Sequence, residues 1–291
     1  MPEQPKVIRK RIKSVDSTQK ITRTMEMVAT AKLKAAQDRV SSSGPYLSNL
    51  RRLMGDIGAS DVDVSAWPQF EVREGKRTLL FVVTGNRGLC GAFNTNLVRL
   101  ARDTYAAKEA AGHTVRLFVA GKKGISALRF AGYTPERTYA DELLDQPTIE
   151  EAEFFLNELK APFLANEVDE VVVIYPHWEG IGRQPPTVLR LFPIAADVAE
   201  VGESTTAPIF EPSAEVILYR LLSLYERQVM YAVLAEAVAS EQVARRVAMK
   251  LASDNASDMV SDLTLEYNKA RQALITKELA EIIGGVEALK G

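Results

Sequence analysis

From Ser213 to Ile283 the chain reads SAEVILYRLLSLYERQVMYAVLAEAVASEQVARRVAMKLASDNASDMVSDLTLEYNKARQALITKELAEII, without a glycine or a proline. A run this long with no breaker reads as one helix, opened by Pro212 and Ser213 with Ser213 as its N-cap. At 1.5 Å per residue it spans about 105 Å if unbroken, more than a globular domain of this size can bury. Such a helix leaves its globule and must pair with something. Ala237, Ala239, Ala244, Ala248, Ala252 and Ala256 cluster along one section. Small side chains there let two helices approach closely and make a thin rod. Gly284-Gly285 is the expected end, since glycine suits the left-handed cap.

The partner lies at the other end of the chain. Lys6 to Ser43 also lacks glycine and proline. Ile8, Ile12 and Val15 stand at helical spacing, and the stripe blurs through Ile21, Met25, Val28, Ala29, Leu33 and Ala36. Ser43-Gly44-Pro45 is expected to kink or interrupt this helix. Leu47, Leu50, Leu53, Met54 and Ile57 resume the spacing, and Gly58 ends it. Each arm needs a partner, and the economical solution is that they pair with each other.

Nearly all the breakers fall between the arms. Thr78–Thr84, Val115–Ala120 and Val171–Tyr175 read as buried strands. Asn94–Ala111, Lys122–Ala131 and Thr148–Asn166 read as helices, and Pro186–Phe192 as a strand returning antiparallel. The alternation implies a mostly parallel sheet with helices on its faces. The expected fold is α/β plus long α: an antiparallel coiled coil of the N- and C-terminal helices (1–58 and 212–291) with an inserted Rossmann-like α/β domain (59–211). Asp197–Ala207 reads as a surface loop.

Composition narrows the function. Of 291 residues, 46% are hydrophobic and 25% charged, enough for a core and against disorder, collagen or a disulfide scaffold. Cys90 is the single cysteine, so no intrachain disulfide forms, and with two histidines a Cys/His zinc site is not expected. No apolar run approaches the roughly 18–20 residues that span a bilayer, and the start lacks a signal-peptide core. Net charge is −2, unevenly spread: residues 1–40 carry ten Lys/Arg against four Asp/Glu, while 60–211 carry fifteen against twenty-two. The basic start reads as a helix face toward an acidic protein partner or solvent, with a nucleic-acid or membrane patch as the alternative.

No constellation of catalytic residues emerges. Thr84-Gly-Asn-Arg-Gly-Leu-Cys-Gly91 follows a strand and precedes a helix, where phosphate loops sit. Its glycines read G-x-x-G-x-x-G, it has no Walker lysine, and Ala120-Gly-Lys-Lys-Gly124 offers no carboxylate for a ribose. A tight turn is the simpler reading. Cys90 reads as a buried small residue, His113 and His177 as surface or loop residues, and Glu150, Glu151 and Glu153 as helix-dipole partners. A nucleotide-dependent enzyme and a nucleic-acid-binding coiled coil stay as competing readings; the second predicts salt-dependent binding.

Three segments carry a resemblance. They are Ile12-Lys-Ser-Val-Asp-Ser-Thr-Gln-Lys-Ile-Thr-Arg-Thr-Met-Glu-Met-Val-Ala-Thr-Ala-Lys-Leu33, Thr84-Gly-Asn-Arg-Gly-Leu-Cys-Gly-Ala-Phe-Asn94, and Ala239-Ser-Glu-Gln to Gly284-Gly285. The last includes Tyr267-Asn-Lys-Ala-Arg-Gln272 and Ile275-Thr-Lys-Glu-Leu279. The chain resembles the gamma subunit of F-type ATP synthases, the central-stalk rotor. The resemblance implies one such chain within a ring of three alpha and three beta subunits, turned by a c ring and touching epsilon. It implies no catalytic residue, cofactor or metal in this chain, no nucleic-acid partner and no direct membrane span.

By motif, Met25 matches a methionine near the beta lever loop, with a core stripe residue as the equal alternative. Arg245 matches a coupling arginine, and Arg271 and Gln272 a pair that bonds a loop of the beta subunit lacking nucleotide. Thr276, Glu278 and Glu281 match positions linked to coupling, with a solvated face as the alternative. Phe210 and Glu211 fall near the foot that meets the c ring and epsilon, on a looser match. The chloroplast cysteine-pair insertion is absent, and the start lacks a transit peptide. A bacterial subunit on the cytoplasmic face of the plasma membrane is the simplest reading, with a thylakoid location also open.

Overall fold

The computed structural model describes residues 4–58, 67–142, 145–194, 211 and 213–288. The expected loop Asp197–Ala207, and Phe210, lie outside these described residues. Two compact units are present, one formed by residues 30–244 and the other by the residues up to Ala29 with those from Arg245 on.

The larger unit holds a five-stranded sheet: β1 (Arg77–Val83), β2 (Thr114–Ala120), β3 (Arg137–Tyr139), β4 (Glu170–Pro176) and β5 (Pro186–Phe192), in the order β3-β2-β1-β4-β5. All neighbouring pairs are parallel except β4 with β5. The crossovers are α2 (Phe93–Ala110), α3 (Lys122–Phe130) and α4 (Ile149–Leu164). Strand β1 is buried on both faces, so its apolar run divides by parity. Leu80 and Val82 face Leu97, Val98 and Ala101 of α2 and Ile125 and Leu128 of α3. Leu79, Phe81 and Val83 belong to a second core with Phe155, Leu159 and Phe163 of α4. That core also takes in the C-terminal end of α1 (Pro5–Gly58) and the N-terminal part of α5 (Ala214–Ala288).

Strand β3 escapes the sequence reading because three residues are too few to show an alternation; β2 templates it through the Phe118–Arg137 to Ala120–Tyr139 register. Pro186–Phe192 returns antiparallel as expected.

Helix α1 runs unbroken through Ser43-Gly44-Pro45, which corrects the expected interruption. A proline costs a helix one hydrogen bond and a clash with the carbonyl four residues back. Here packing on the C-terminal side of the proline outweighs that cost: Leu50, Met54 and Ile57 sit in the core. Ser43 itself is buried, and its Oγ accepts a hydrogen bond from Gln228 Nε2 at 2.7 Å. Helix α5 likewise passes through Gly284-Gly285 to Ala288, where an end was expected. Ser213 does cap its start, its Oγ accepting from the Val216 amide at 3.4 Å.

Within the larger unit the two long helices run antiparallel. Leu50, Met54 and Ile57 share a core with Leu218, Leu221 and Leu222; Ser43 meets Gln228; Ala36 meets Val238 and Ala239. As numbers fall along α1 they rise along α5. Among the described residues the smaller unit consists of two helical segments. Burial of Ile8, Thr22 and Ala29 on one, and of Met249, Ser253, Ala256 and Leu263 on the other, therefore comes from their packing together. The α5 positions are spaced four, three and seven apart, a heptad seam. Among the described residues no helix is long and apolar enough to cross a membrane.

Candidate functional site

The glycine-rich turn after β1 is knitted to its own surroundings. Thr84 Oγ1 donates to the Ala120 carbonyl (2.8 Å) and accepts from the Gly124 amide (3.0 Å). The Gly85 amide donates to Asn94 Oδ1 at 2.8 Å and the Lys122 amide to Asn86 Oδ1 at 3.0 Å. Gly121 has φ +97°, and a Cβ there would lie 2.2 Å from the Thr84 carbonyl oxygen, so only glycine fits. Three amides at this crossing, those of Gly85, Lys122 and Gly124, are thus already bonded to side chains of the chain itself. Helix α5 then covers the turn: a Cβ on Gly85 would lie 3.0 Å from the carboxyl carbon of Glu241. The pocket at this place is lined by both elements, including Asn86, Arg87, Asp145, Glu241 and Gln242.

Cys90 is buried, accepting from Asn94 Nδ2 at 3.1 Å. His113 lies 2.8 Å from Thr78 Oγ1, whose proton goes to Glu170 Oε1 at 2.7 Å. With that proton committed, His113 Nδ1–H is the donor. Among the described residues no cluster of three or more His, Cys, Asp or Glu side chains is placed to hold a metal ion.

The family-matched positions lie mostly on the last turns of α5. Leu263 is the last buried residue among those described on that helix, and every residue from Arg271 to Val286 is exposed. Helix α1 begins at Pro5, so its seam on α5 runs out before this stretch. Ile275, Leu279, Ile282 and Val286 nonetheless recur at steps of four, three and four, the spacing of an apolar stripe. With Leu274 and Ile283 they are 43–65% exposed. Gln272 and Thr276 stand one turn apart beside that stripe. Glu281 pairs with Lys277 at 3.5 Å, and Arg271 and Glu278 are open to solvent.

The remaining matched residues are scattered. Met25 is half-buried on α1. Arg245 is only 9% exposed and engaged within the chain. Glu211 is exposed just ahead of α5. The structure thus gathers Arg271, Gln272, Thr276, Glu278 and Glu281 on one helix end and leaves Met25, Arg245 and Glu211 elsewhere.

Sequence reasoning missed one polar node. Glu236 Oε2 accepts from the Trp178 amide and from His177 Nδ1, each at 2.8 Å. The signal available was the Pro176-His-Trp-Glu loop itself, where only the histidine was weighed.

Comparison with known proteins fits this architecture. A family model described as ATP synthase matches residues 4–289. The chain is 38% identical to the ATP synthase gamma chain of Maridesulfovibrio salexigens, over 98% of this chain and 99% of that one. It is 40% identical to the ATP synthase gamma chain of Gemmatimonas aurantiaca, with the same coverage. Among solved structures it resembles a chain of the Euglena gracilis mitochondrial ATP synthase in rotational state 3, with TM-score 0.67 and 22% identity over 98% of this chain and 94% of that one. A chain of the rotor of the same enzyme in rotational state 1 gives TM-score 0.66 and 20% identity over 93% and 98%. At these identities the solved structures speak to the fold.

Proposed function

The chain belongs to the family of ATP synthase gamma chains, and on that premise we propose that it is the central-stalk rotor of an F-type ATP synthase. One copy stands within a ring of three alpha and three beta subunits and meets epsilon and the c ring at its foot. It turns with the c ring as protons pass, coupling that rotation to ATP synthesis or hydrolysis at the beta subunits. A single shaft in a three-fold ring touches each beta differently. Its unequal contacts bias the three sites toward different nucleotide states, as coupling requires.

The observation that carries this reading is the end of α5. A helix exposed on every side from Arg271 to Val286, yet bearing six large apolar residues there, is built to be surrounded by other chains. Arg271 and Gln272 serve as the bonding pair toward a beta loop, the guanidinium gripping a carboxylate at two points. Thr276, Glu278 and Glu281 line the same contact. Met25 and Arg245 act in coupling from within the helix pair, and Phe210 and Glu211 belong to the foot. Residues 1–58 and 212–291 form the shaft and 59–211 its side domain. The chain is itself non-catalytic, a reading supported by the crossing of β1 and β2, where the Gly85, Lys122 and Gly124 amides are bonded to the chain's own side chains. It works at the cytoplasmic face of a bacterial plasma membrane, held there through the complex.

Co-purification of the tagged chain from its native membrane tests this. Recovery with alpha and beta in a 1:3:3 ratio, with ATPase activity that the chain alone lacks, is the expected result. Recovery of a lone chain that binds nucleotide or nucleic acid overturns it.

A further inference from the structure

The sheet grips the long helices at two levels within the larger unit. The first is the apolar core that joins Leu79, Phe81 and Val83 to Leu50, Met54 and Ile57 of α1 and Leu218, Leu222 and Val229 of α5. Apolar contact is non-directional and by itself leaves the angle between the surfaces weakly defined. The second level lies in the loop between β4 and β5. Trp178 packs there, as Val40 does, against the cluster formed by Ala36 of α1 and Val238 and Ala239 of α5. Ala36 and Ala239 are the small residues that leave room for an indole.

The backbone that carries the indole is pinned. The Trp178 amide and His177 Nδ1 both donate to Glu236 Oε2 at 2.8 Å. Glu236 stands three residues before Ala239, on the same face of α5, so one face supplies both the seat and the anchor. The loop is also braced. The His177 amide donates to the Pro185 carbonyl at 2.9 Å, Gly180 bridges Arg183, and Arg183 pairs with Glu179 at 3.2 Å. Hydrogen bonds fix direction where apolar contact does not.

Resting on the rotor reading, we infer that Trp178, anchored by Glu236, is a positioning residue that keys the α/β domain to the helix pair at one angle. Torque entering the domain then passes into the shaft, and torque in the shaft passes back, without slip. The key touches no nucleotide and acts through the rigidity of the rotor.

The test uses the complex reconstituted in sealed vesicles, reading ATP hydrolysis and ATP-driven proton pumping together. Trp178→Ala and Glu236→Ala are expected to hydrolyse ATP at the wild-type rate while pumping fewer protons per ATP. Trp178→Phe, which keeps a ring in the seat, is expected to restore most of the ratio. An unchanged ratio in both alanine variants overturns the inference, as does a fall of hydrolysis and pumping in equal proportion. If Trp178→Ala fails to assemble, Glu236→Ala carries the test. If neither assembles, the contact serves folding and the inference falls. Failure of the wild-type chain to couple hydrolysis to pumping in the same assay would sink the rotor reading instead.

Discussion

Gln228 Nε2 on α5 donates to Ser43 Oγ on α1 across 2.7 Å, with both residues buried, two positions before the proline that α1 carries in its interior. The bond joins the antiparallel helices where α1 is weakest. Ser43→Ala removes the acceptor and strands a buried amide, a change expected to cost about 1–3 kcal/mol. Urea denaturation followed by far-ultraviolet circular dichroism reads it, as a lower midpoint. A midpoint equal to wild type would mean that water or another group satisfies Gln228.

Asp169 sets an acid limb. Its carboxylate accepts from Arg77 Nη2 at 2.6 Å, from Nε at 2.9 Å and from the Arg77 amide at 2.9 Å. Those hydrogen bonds hold its carboxyl below the ordinary value against the opposing effect of burial. A depressed folded value stabilises above the unfolded carboxylate value of about 3.9, and that stability is lost as pH falls through the folded value. Asp169→Asn is expected to lower the urea midpoint at pH 7 and to flatten its decline on acidification. An acid limb as steep as wild type would place the titration elsewhere.

Lys160 and Glu226 form an ion pair in which the carboxylate is almost wholly buried. Burial pushes the Glu226 carboxyl up, and the hydrogen bond from Lys160 opposes this. The sign is the reverse of that for Asp169: the contribution is present below the unfolded value and lost as pH rises through the folded one. Lys160→Met strands the charge and is expected to cost about 3–5 kcal/mol at neutral pH. Adding Glu226→Met should recover most of that loss, measured as a double-mutant cycle. Additive losses in the double variant would show that the two residues act independently.

Arg271 and Gln272 are both exposed. Arg271→Ala with Gln272→Ala is expected to move the isolated chain's stability by no more than about 0.5 kcal/mol, while weakening coupled ATP synthesis or assembly. Wild-type synthesis, torque and assembly in the double variant would remove this pair from the proposed beta contact.

Much of the fold is legible in the amino-acid sequence. The two breaker-free arms, the strands β1, β2 and β4, the crossover helices and the antiparallel return of β5 all announce themselves through periodicity and through the placement of glycine and proline. The family motifs single out Arg271, Gln272, Thr276, Glu278 and Glu281 as the proposed contact, and spacing alone does not separate a partner-facing residue from a solvated one. Their full exposure beyond the end of the α1 seam is a property of two helices of unequal reach.

The sequence by itself determined which segments become helix or strand and which side chains form stripes, because those choices rest on local conformational cost and on repeat period. Tertiary structure decided the rest. It carried α1 through Gly44-Pro45, because packing of Leu50, Met54 and Ile57 and the Gln228–Ser43 bond exceed the local cost of a proline. It added β3, because three residues gain strand character only beside β2. It set Trp178 and Glu236 against each other across 58 positions of chain, a pairing that no local rule contains, since its stability comes from surfaces that exist only once the sheet and both long helices are in place.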